Sequence, residues 1–235
     1  RIVYTRAAAT GKRVQALGGA KNHLIVLPDA DLDLTMAACS ASIFGSTGQR
    51  CLAGSVVVGV GEAYEPVRER LLDSAAGIRI GDGLDATTDM GPVISGSHRD
   101  RVRAFIDQGE QDGAELLLDG RDATVPGFEN GYWIGPTVFE GVSPDLAIGR
   151  EEVFGPVAGL ARVDDLDQAV ALMHQSHYGN ACSIFTTSGR SAREFRYQAG
   201  ISMIGVNIGV AAPMAFFPFG GSRGSFYGDL KAQGS

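Results

Sequence analysis

Hydrophobic positions along the chain fall into short runs that switch repeatedly between two periodicities. In "PDADLDLTMAACSASIFGSTG", Leu32, Met36, Cys39 and Ile43 recur at steps of three and four behind acidic capping residues, which predicts a helix ending near Gly45 to Gly48. "SVVVGV" follows as a β-branched strand, and Tyr64, Val67, Leu71, Leu72 and Ala75 mark the inward stripe of a second helix. A helix from about Ser97 carries Val102, Phe105 and Ile106, and the strands "AELLL" and "VAGLARV" come after it. Leu166, Ala169, Val170 and Met173 predict the next helix. The strand "NACSIFTT", a helix near Ser191 to Ala199 and the strand "ISMIGV" complete the run. This alternation predicts an α/β fold with a largely parallel sheet flanked by helices.

Two Gly- and Pro-rich zones, 119–136 and 207–224, are long connections, and loops of that length more often carry function than not. Residues 1–19 read as the tail of a helix, a strand "RVQAL" and a Gly-Gly turn. The last stretch, "GSRGSFYGDLKAQGS", is polar and closes nothing. With an opening at Arg1 rather than Met, these ends lead us to expect a fragment or trimmed piece whose termini belong to a neighbouring domain.

With 235 residues, 44% hydrophobic and 20% charged, the chain can bury a core of ordinary size. A net charge of -7 argues against nucleic acid or an anionic membrane as the main partner, because both demand concentrated Lys and Arg. The most apolar segment, "ISMIGVNIGVAAPMAFFPFGG", is broken by Asn207, Pro213 and Pro218, so no membrane helix is expected, and no signal peptide is recognised at the start. Cys39, Cys51 and Cys182 have neither disulfide-framework nor zinc spacing, which fits free thiols in a reducing, cytoplasmic compartment. No metal site is expected.

Cys51 is the candidate nucleophile. A cysteine reacts as its thiolate, and the guanidinium of Arg50 beside it, in the run "FGSTGQRCLAGS", lowers the cost of that charge while small neighbours admit a substrate. The alternative is a small buried residue after a helix. Cys39 on a helical stripe and Cys182 in a strand read as core. A cysteine hydrolase would need a histidine base, and His23, His98, His174 and His177 carry no partner signature; each reads as solvated or structural. "GDGLDA" fits a dinucleotide pattern on paper, but Asp82 and Asp85 would repel a pyrophosphate and no helix follows, so it reads as a turn.

Seven anchors, "QALGGAKNH", "GQRCLAG", "DMGPVIS", "GYWIGPTVFEGV", "REEVFGPV", "HYGNACSIFT" and "FGGSRGSFYGDL", occur in an order that resembles the aldehyde dehydrogenase superfamily. The resemblance is closest to its CoA-acylating methylmalonate- and malonate-semialdehyde dehydrogenases. It implies an aldehyde dehydrogenase-like catalytic domain over 20–220, with 1–19 and 221–235 as remnants of the NAD-binding domain, whose remainder lies outside the chain. It also implies a homo-oligomer, dimer or tetramer, for the full-length protein.

By this resemblance Cys51 attacks the aldehyde carbon, NAD accepts hydride, and a thioester remains on the enzyme. The oxyanion would be held by the Cys51 N–H and by an asparagine outside this chain. Glu152 is implied to bind the nicotinamide ribose hydroxyls, Phe154 to pack near the nicotinamide ring, and Gly18 to sit at the cofactor. Hydrolytic members carry a glutamate where this chain has Ala16, so hydrolysis should be slow and CoA, as co-substrate, the acyl acceptor. Arg50 is then expected to grip a substrate carboxylate through paired N–H donors, the alternative being a structural carboxylate partner. Decarboxylation of the malonyl-type thioester would yield acetyl-CoA or propionyl-CoA. The pathways implied are valine, pyrimidine or inositol breakdown. Lys21 and Asn22 receive no chemistry. Phe216, Phe217 and Phe219 are read as core, with the aldehyde tunnel as the alternative. Against the acylating enzyme stand a hydrolytic aldehyde dehydrogenase, an inert fragment and a thiol hydrolase.

Overall fold

A computed structural model describes residues 1–233. In chain order the elements are α1 (Ile2–Ala9), β1 (Ala16–Leu17), β2 (Asn22–Val26), α2 (Leu32–Ile43), β3 (Gly54–Val60), α3 (Tyr64–Ala76), α4 (Gly96–Gln111), β4 (Glu115–Leu118) and β5 (Thr137–Glu140). They continue with α5 (Ala147–Arg150), β6 (Val157–Val163), α6 (Leu166–His174), β7 (Tyr178–Gly179), β8 (Ala181–Phe185), α7 (Gly189–Gln198), β9 (Met203–Val206), β10 (Ser222–Arg223) and β11 (Phe226–Tyr227).

Seven strands form the central sheet in the order β4-β5-β6-β3-β2-β8-β9. All neighbours run parallel except β4, which pairs antiparallel with β5 at one edge. Successive side chains leave a strand on opposite faces, so each inner strand feeds two cores. Ile25 of β2 and Val56, Val58 and Val60 of β3 pack with Val102 and Ile106 of α4, Ala169 and Met173 of α6 and Phe195 of α7. Leu24, Val26 and Val57 pack on the other face with Met36, Cys39 and Ile43 of α2 and Val67 and Leu71 of α3. Each large side chain buried in this way contributes about 1.5–3 kcal/mol relative to exposure.

The predicted α/β architecture is therefore present. Local capping chemistry sets its helix starts: Asp31 accepts from the N–H groups of Asp33 and Leu34 ahead of α2, and Ser95, Asp165 and Ser188 do the same for α4, α6 and α7. Two strands of the sheet, β2 and β5, were not among those predicted. All five residues of β2 are buried, so "NHLIV" shows no alternation, and "TVFE" is only four residues long. The predicted strand "RVQAL" shrinks to Ala16–Leu17. This β1 pairs antiparallel with β11, and the Gly18 N–H donates to Ser225 O at 2.9 Å, so the two ends of the chain are tied to each other. Residues 234 and 235, at the end of the expected return segment 221–235, lie outside the described residues.

One expectation is corrected. Phe216 and Phe217 are 66% and 54% exposed and lie against each other with tilted rings on the 207–221 connection, while Phe219 packs beside Leu52, Ala181, Met203 and Ala211. That connection passes outside α2, where Ser42 Oγ donates to Gly209 O, and so leaves two of its aromatic rings no core to enter. Among the described residues no helix is long and apolar enough to cross a membrane.

Candidate active site

The loop that carries Cys51 begins where α2 ends. Ser46, Thr47 and Gly48 all have positive φ, at 52°, 56° and 68°, and two of them carry side chains that disfavour this region. Strain of about 1–2 kcal/mol per such residue persists only where surrounding contacts over-determine it. They do so here. The Thr47 hydroxyl lies 3.3 Å from Gly91 O, and a Cβ at Gly48 would overlap the Gly155 carbonyl, so the loop presses backbone to backbone against the segment carrying Glu152. Gln49 Oε1 accepts from the Ile94 N–H at 3.1 Å.

Cys51 emerges from this loop exposed, whereas Cys39 and Cys182 are buried and burial pushes both thiols up to about 12. The Cys51 carbonyl accepts from two buried side-chain amides, Asn22 Nδ2 at 3.0 Å and Asn180 Nδ2 at 2.7 Å. Asn22 Nδ2 also donates to Ala53 O at 2.8 Å, and Asn22 Oδ1 accepts from the Ala181 N–H at 3.2 Å. One side chain therefore joins the starts of β2 and β8 to the Cys51 loop. The Cys51 N–H has no hydrogen-bond partner among the described residues.

The Arg50 guanidinium turns back on α2. Its Nη2 donates to Ala41 O and, at 3.1 Å, to Ser42 O, at the carbonyl-rich end of the helix. Its Nε is buried without a partner among the described residues. The structural partner is thus a pair of carbonyls and not a carboxylate, and of the terminal nitrogens only Nη1 is uncommitted among the described residues.

Opposite the loop lies the strap from Glu151 to Phe154. Glu152 Oε1 accepts from the Ala20 N–H at 3.1 Å, while Oε2 accepts no hydrogen bond among the described residues. Burial raises the Glu152 carboxyl above its ordinary range, opposed by the Ala20 N–H and the charges of Arg101 and Lys21. Lys21 is buried and donates from Nζ to Ile148 O at 2.6 Å and Glu151 O at 3.0 Å. Burial lowers it to about 8, against the pull of Glu152 and Glu151. Phe154 is half-buried with φ 59°. A cavity of about 20 Å³, lined by Lys21, Asn22, Arg50, Ser55, Glu152 and Phe154 among others, separates loop from strap, with room for about one water.

Arg50, Glu152 and Phe154 therefore surround one small cavity, with Cys51 next to Arg50 in the chain. Gly18 sits two residues before Ala20, where a Cβ would overlap the Gly224 carbonyl. None of the four histidines hydrogen-bonds Cys51 among the described residues: His98 Nε2 meets Phe154 O, His174 Nε2 meets Ala199 O, His177 stacks on Tyr178, and His23 is buried in β2. Sequence reading missed Asn22, Asn180 and Lys21. The available signal was a polar residue set where a strand begins inside the core, since a buried polar group must find partners.

The chain matches the aldehyde dehydrogenase family over residues 1–235, and it belongs to that family. Malonate-semialdehyde dehydrogenase of Halalkalibacterium halodurans is 48% identical over 233 residues, 99% of this chain and 48% of that protein. The structure of methylmalonate-semialdehyde dehydrogenase from Oceanimonas doudoroffii superposes with a TM-score of 0.96 at 41% identity, covering 99% of this chain and 48% of the other. A Sinorhizobium meliloti structure complexed with NAD gives 0.97 at 42% identity, covering 100% and 48%. The chain spans about half the length of these relatives.

Proposed function

We propose that the full-length protein oxidises malonate or methylmalonate semialdehyde with NAD, decarboxylates the product and transfers the acyl group to CoA through a thioester on Cys51. In this reading 20–220 is the catalytic domain, and 1–19 and 221–235, paired to each other through β1 and β11, belong to the NAD-binding half. One observation carries it: in a chain 48% identical to a malonate-semialdehyde dehydrogenase, the exposed cysteine has its carbonyl fixed by two buried amides and its N–H without a partner among the described residues.

The residues present suit the nicotinamide end of the cofactor. Among the described residues Glu152 keeps one carboxylate oxygen uncommitted, which suits sugar hydroxyls, and the half-buried Phe154 lies two residues on. When bound, NAD supplies the hydride acceptor. The chain's own residues do the rest. The Cys51 thiolate adds to the aldehyde carbon, and the N–H of the same residue points its dipole at the developing oxyanion. Collapse with loss of hydride leaves a thioester whose β-carboxylate can depart as carbon dioxide, the electron pair passing into the thioester carbonyl as an enolate whose α-carbon then takes a proton. Arg50 would meet that carboxylate through Nη1, a narrower grip than paired donors. Ala16, in β1, can accept no proton, so water is not activated and the CoA thiol takes the acyl group.

In the full-length enzyme, NADH formation from malonate semialdehyde should be slow without CoA and fast with it, and Cys51→Ser should abolish both. Equal turnover and free acid without CoA would favour the hydrolytic reading instead.

A further inference from the structure

The strap from Glu151 to Phe154 lies between α5 and β6 and belongs to neither. None of its four carbonyls accepts a backbone N–H among the described residues. Every one is held instead by a basic side chain. Glu151 O accepts from Lys21 Nζ at 3.0 Å, Glu152 O from Arg101 Nη2 at 2.9 Å, Val153 O from Arg101 Nη1 at 2.9 Å, and Phe154 O lies 2.7 Å from His98 Nε2. A carbonyl can only accept, so the His98 tautomer that makes this bond carries its hydrogen on Nε2. His98 and Arg101 stand one turn apart on α4 and grip the strap from one side; Lys21, at the foot of β2, grips it from the other.

We propose that Lys21, Arg101 and His98 form a carbonyl clamp that positions Glu152 and Phe154 for the cofactor. The inference rests on the reading of Glu152 as the ribose-binding carboxylate. Phe154 holds a positive φ that an aromatic residue adopts only when constrained, and the fixing bonds fall on its own carbonyl and on the three before it. A single turn of α4 thereby sets the direction in which the Glu152 carboxylate leaves the backbone. The three clamp residues act through the strap's carbonyls, which makes them positioning residues.

The test is a double-variant cycle in the full-length enzyme, with Arg101→Met and Glu152→Gln made singly and together. Arg101→Met should raise the KM for NAD about tenfold, the cost of two lost charge-assisted hydrogen bonds discounted for exposure, and leave the KM for semialdehyde within about twofold. In the Glu152→Gln background the same change should add less than about twofold, because the group being positioned is gone. His98→Leu should follow Arg101→Met, and His98→Gln, which keeps a donor, should restore most of the loss. If Glu152→Gln raises the KM for NAD while Arg101→Met and His98→Leu do not, the clamp is overturned and the cofactor reading survives. Full additivity overturns the clamp as well. If Glu152→Gln itself changes nothing, the ribose reading fails and takes the clamp with it.

Discussion

Replacing Asn22 should cost far more than replacing Asn180, although both amides hold the same carbonyl. Asn22→Ala removes three hydrogen bonds: those to Cys51 O and Ala53 O, and the one accepted from the Ala181 N–H. Cys51 O keeps Asn180, but Ala53 O and Ala181 N are stranded, and a buried orphan costs about 1–3 kcal/mol. Partial relaxation and entry of a water into the space vacated should bring the total to about 3 kcal/mol. Asn180→Ala strands nothing, since Cys51 O keeps Asn22 at 3.0 Å, and should cost about 1 kcal/mol. Urea denaturation of both full-length variants, compared at equal slope, reads the difference. Iodoacetamide alkylation, with Cys51→Ser subtracted as background, reports whether the loop has lost its shape. Equal destabilisation by the two variants, or a cost for Asn22→Ala under about 0.5 kcal/mol, would refute the view that this side chain joins loop and sheet.

Gly48→Ala should cost more than about 2 kcal/mol and abolish activity, because φ 68° disfavours any Cβ and the Gly155 carbonyl leaves no room for one; thermal unfolding and NADH production of the full-length enzyme check it. Burial, with the nearby Lys21 charge, lowers His23 from 6.5 to about 4, so the unfolded chain binds the extra proton first as pH falls. Stability should therefore be complete above pH 6.5 and fall by up to about 3 kcal/mol between 6.5 and 4, and His23→Leu should flatten that slope in denaturation measured across pH. Ala16→Glu, which restores a proton acceptor, should raise CoA-independent release of free acid; no change in NADH turnover without CoA would count against Ala16 as the cause of slow hydrolysis.

What the sequence made legible follows from which interactions are local. Helix starts are written in single capping residues such as Asp31 and Ser95, and one-sided stripes such as Val67, Leu71 and Ala75 declare their buried face without any partner. β2 escaped because a strand covered on both faces has no alternation to read. The exposed cysteine and its arginine could be singled out by chemistry, but the direction of the guanidinium depends on the Ala41 and Ser42 carbonyls, nine and eight residues earlier, and on where α2 stops. Asn22 and Asn180 converge on Cys51 O from separations of 29 and 129 residues, and Lys21 reaches Ile148 O across 127. No periodicity encodes such meetings. They exist only once the parallel register of β2 against β3 and β8 is set.

The site occupies the unusual end of its sheet. Asn22, Gly54, Val157 and Ala181 are the first residues of β2, β3, β6 and β8, so the Cys51 loop and the strap gather at the amino ends of parallel strands. Ligands of open α/β sheets usually gather at the carboxyl ends, where helix N-termini offer free N–H groups to phosphate. At the amino ends the flanking helices finish, and what they present is carbonyl oxygen with partial negative charge. The basic residues around the site answer to that field: Arg50 to Ala41 and Ser42 of α2, Lys21 to Ile148 of α5 and to Glu151, and Arg101 to Glu152 and Val153. Cations committed to carbonyls are poorly placed to take up a pyrophosphate as well. The proposed division of labour follows from this electrostatics, with this half orienting the sugar and ring of the cofactor through Glu152 and Phe154 and another part of the full-length protein holding its phosphates.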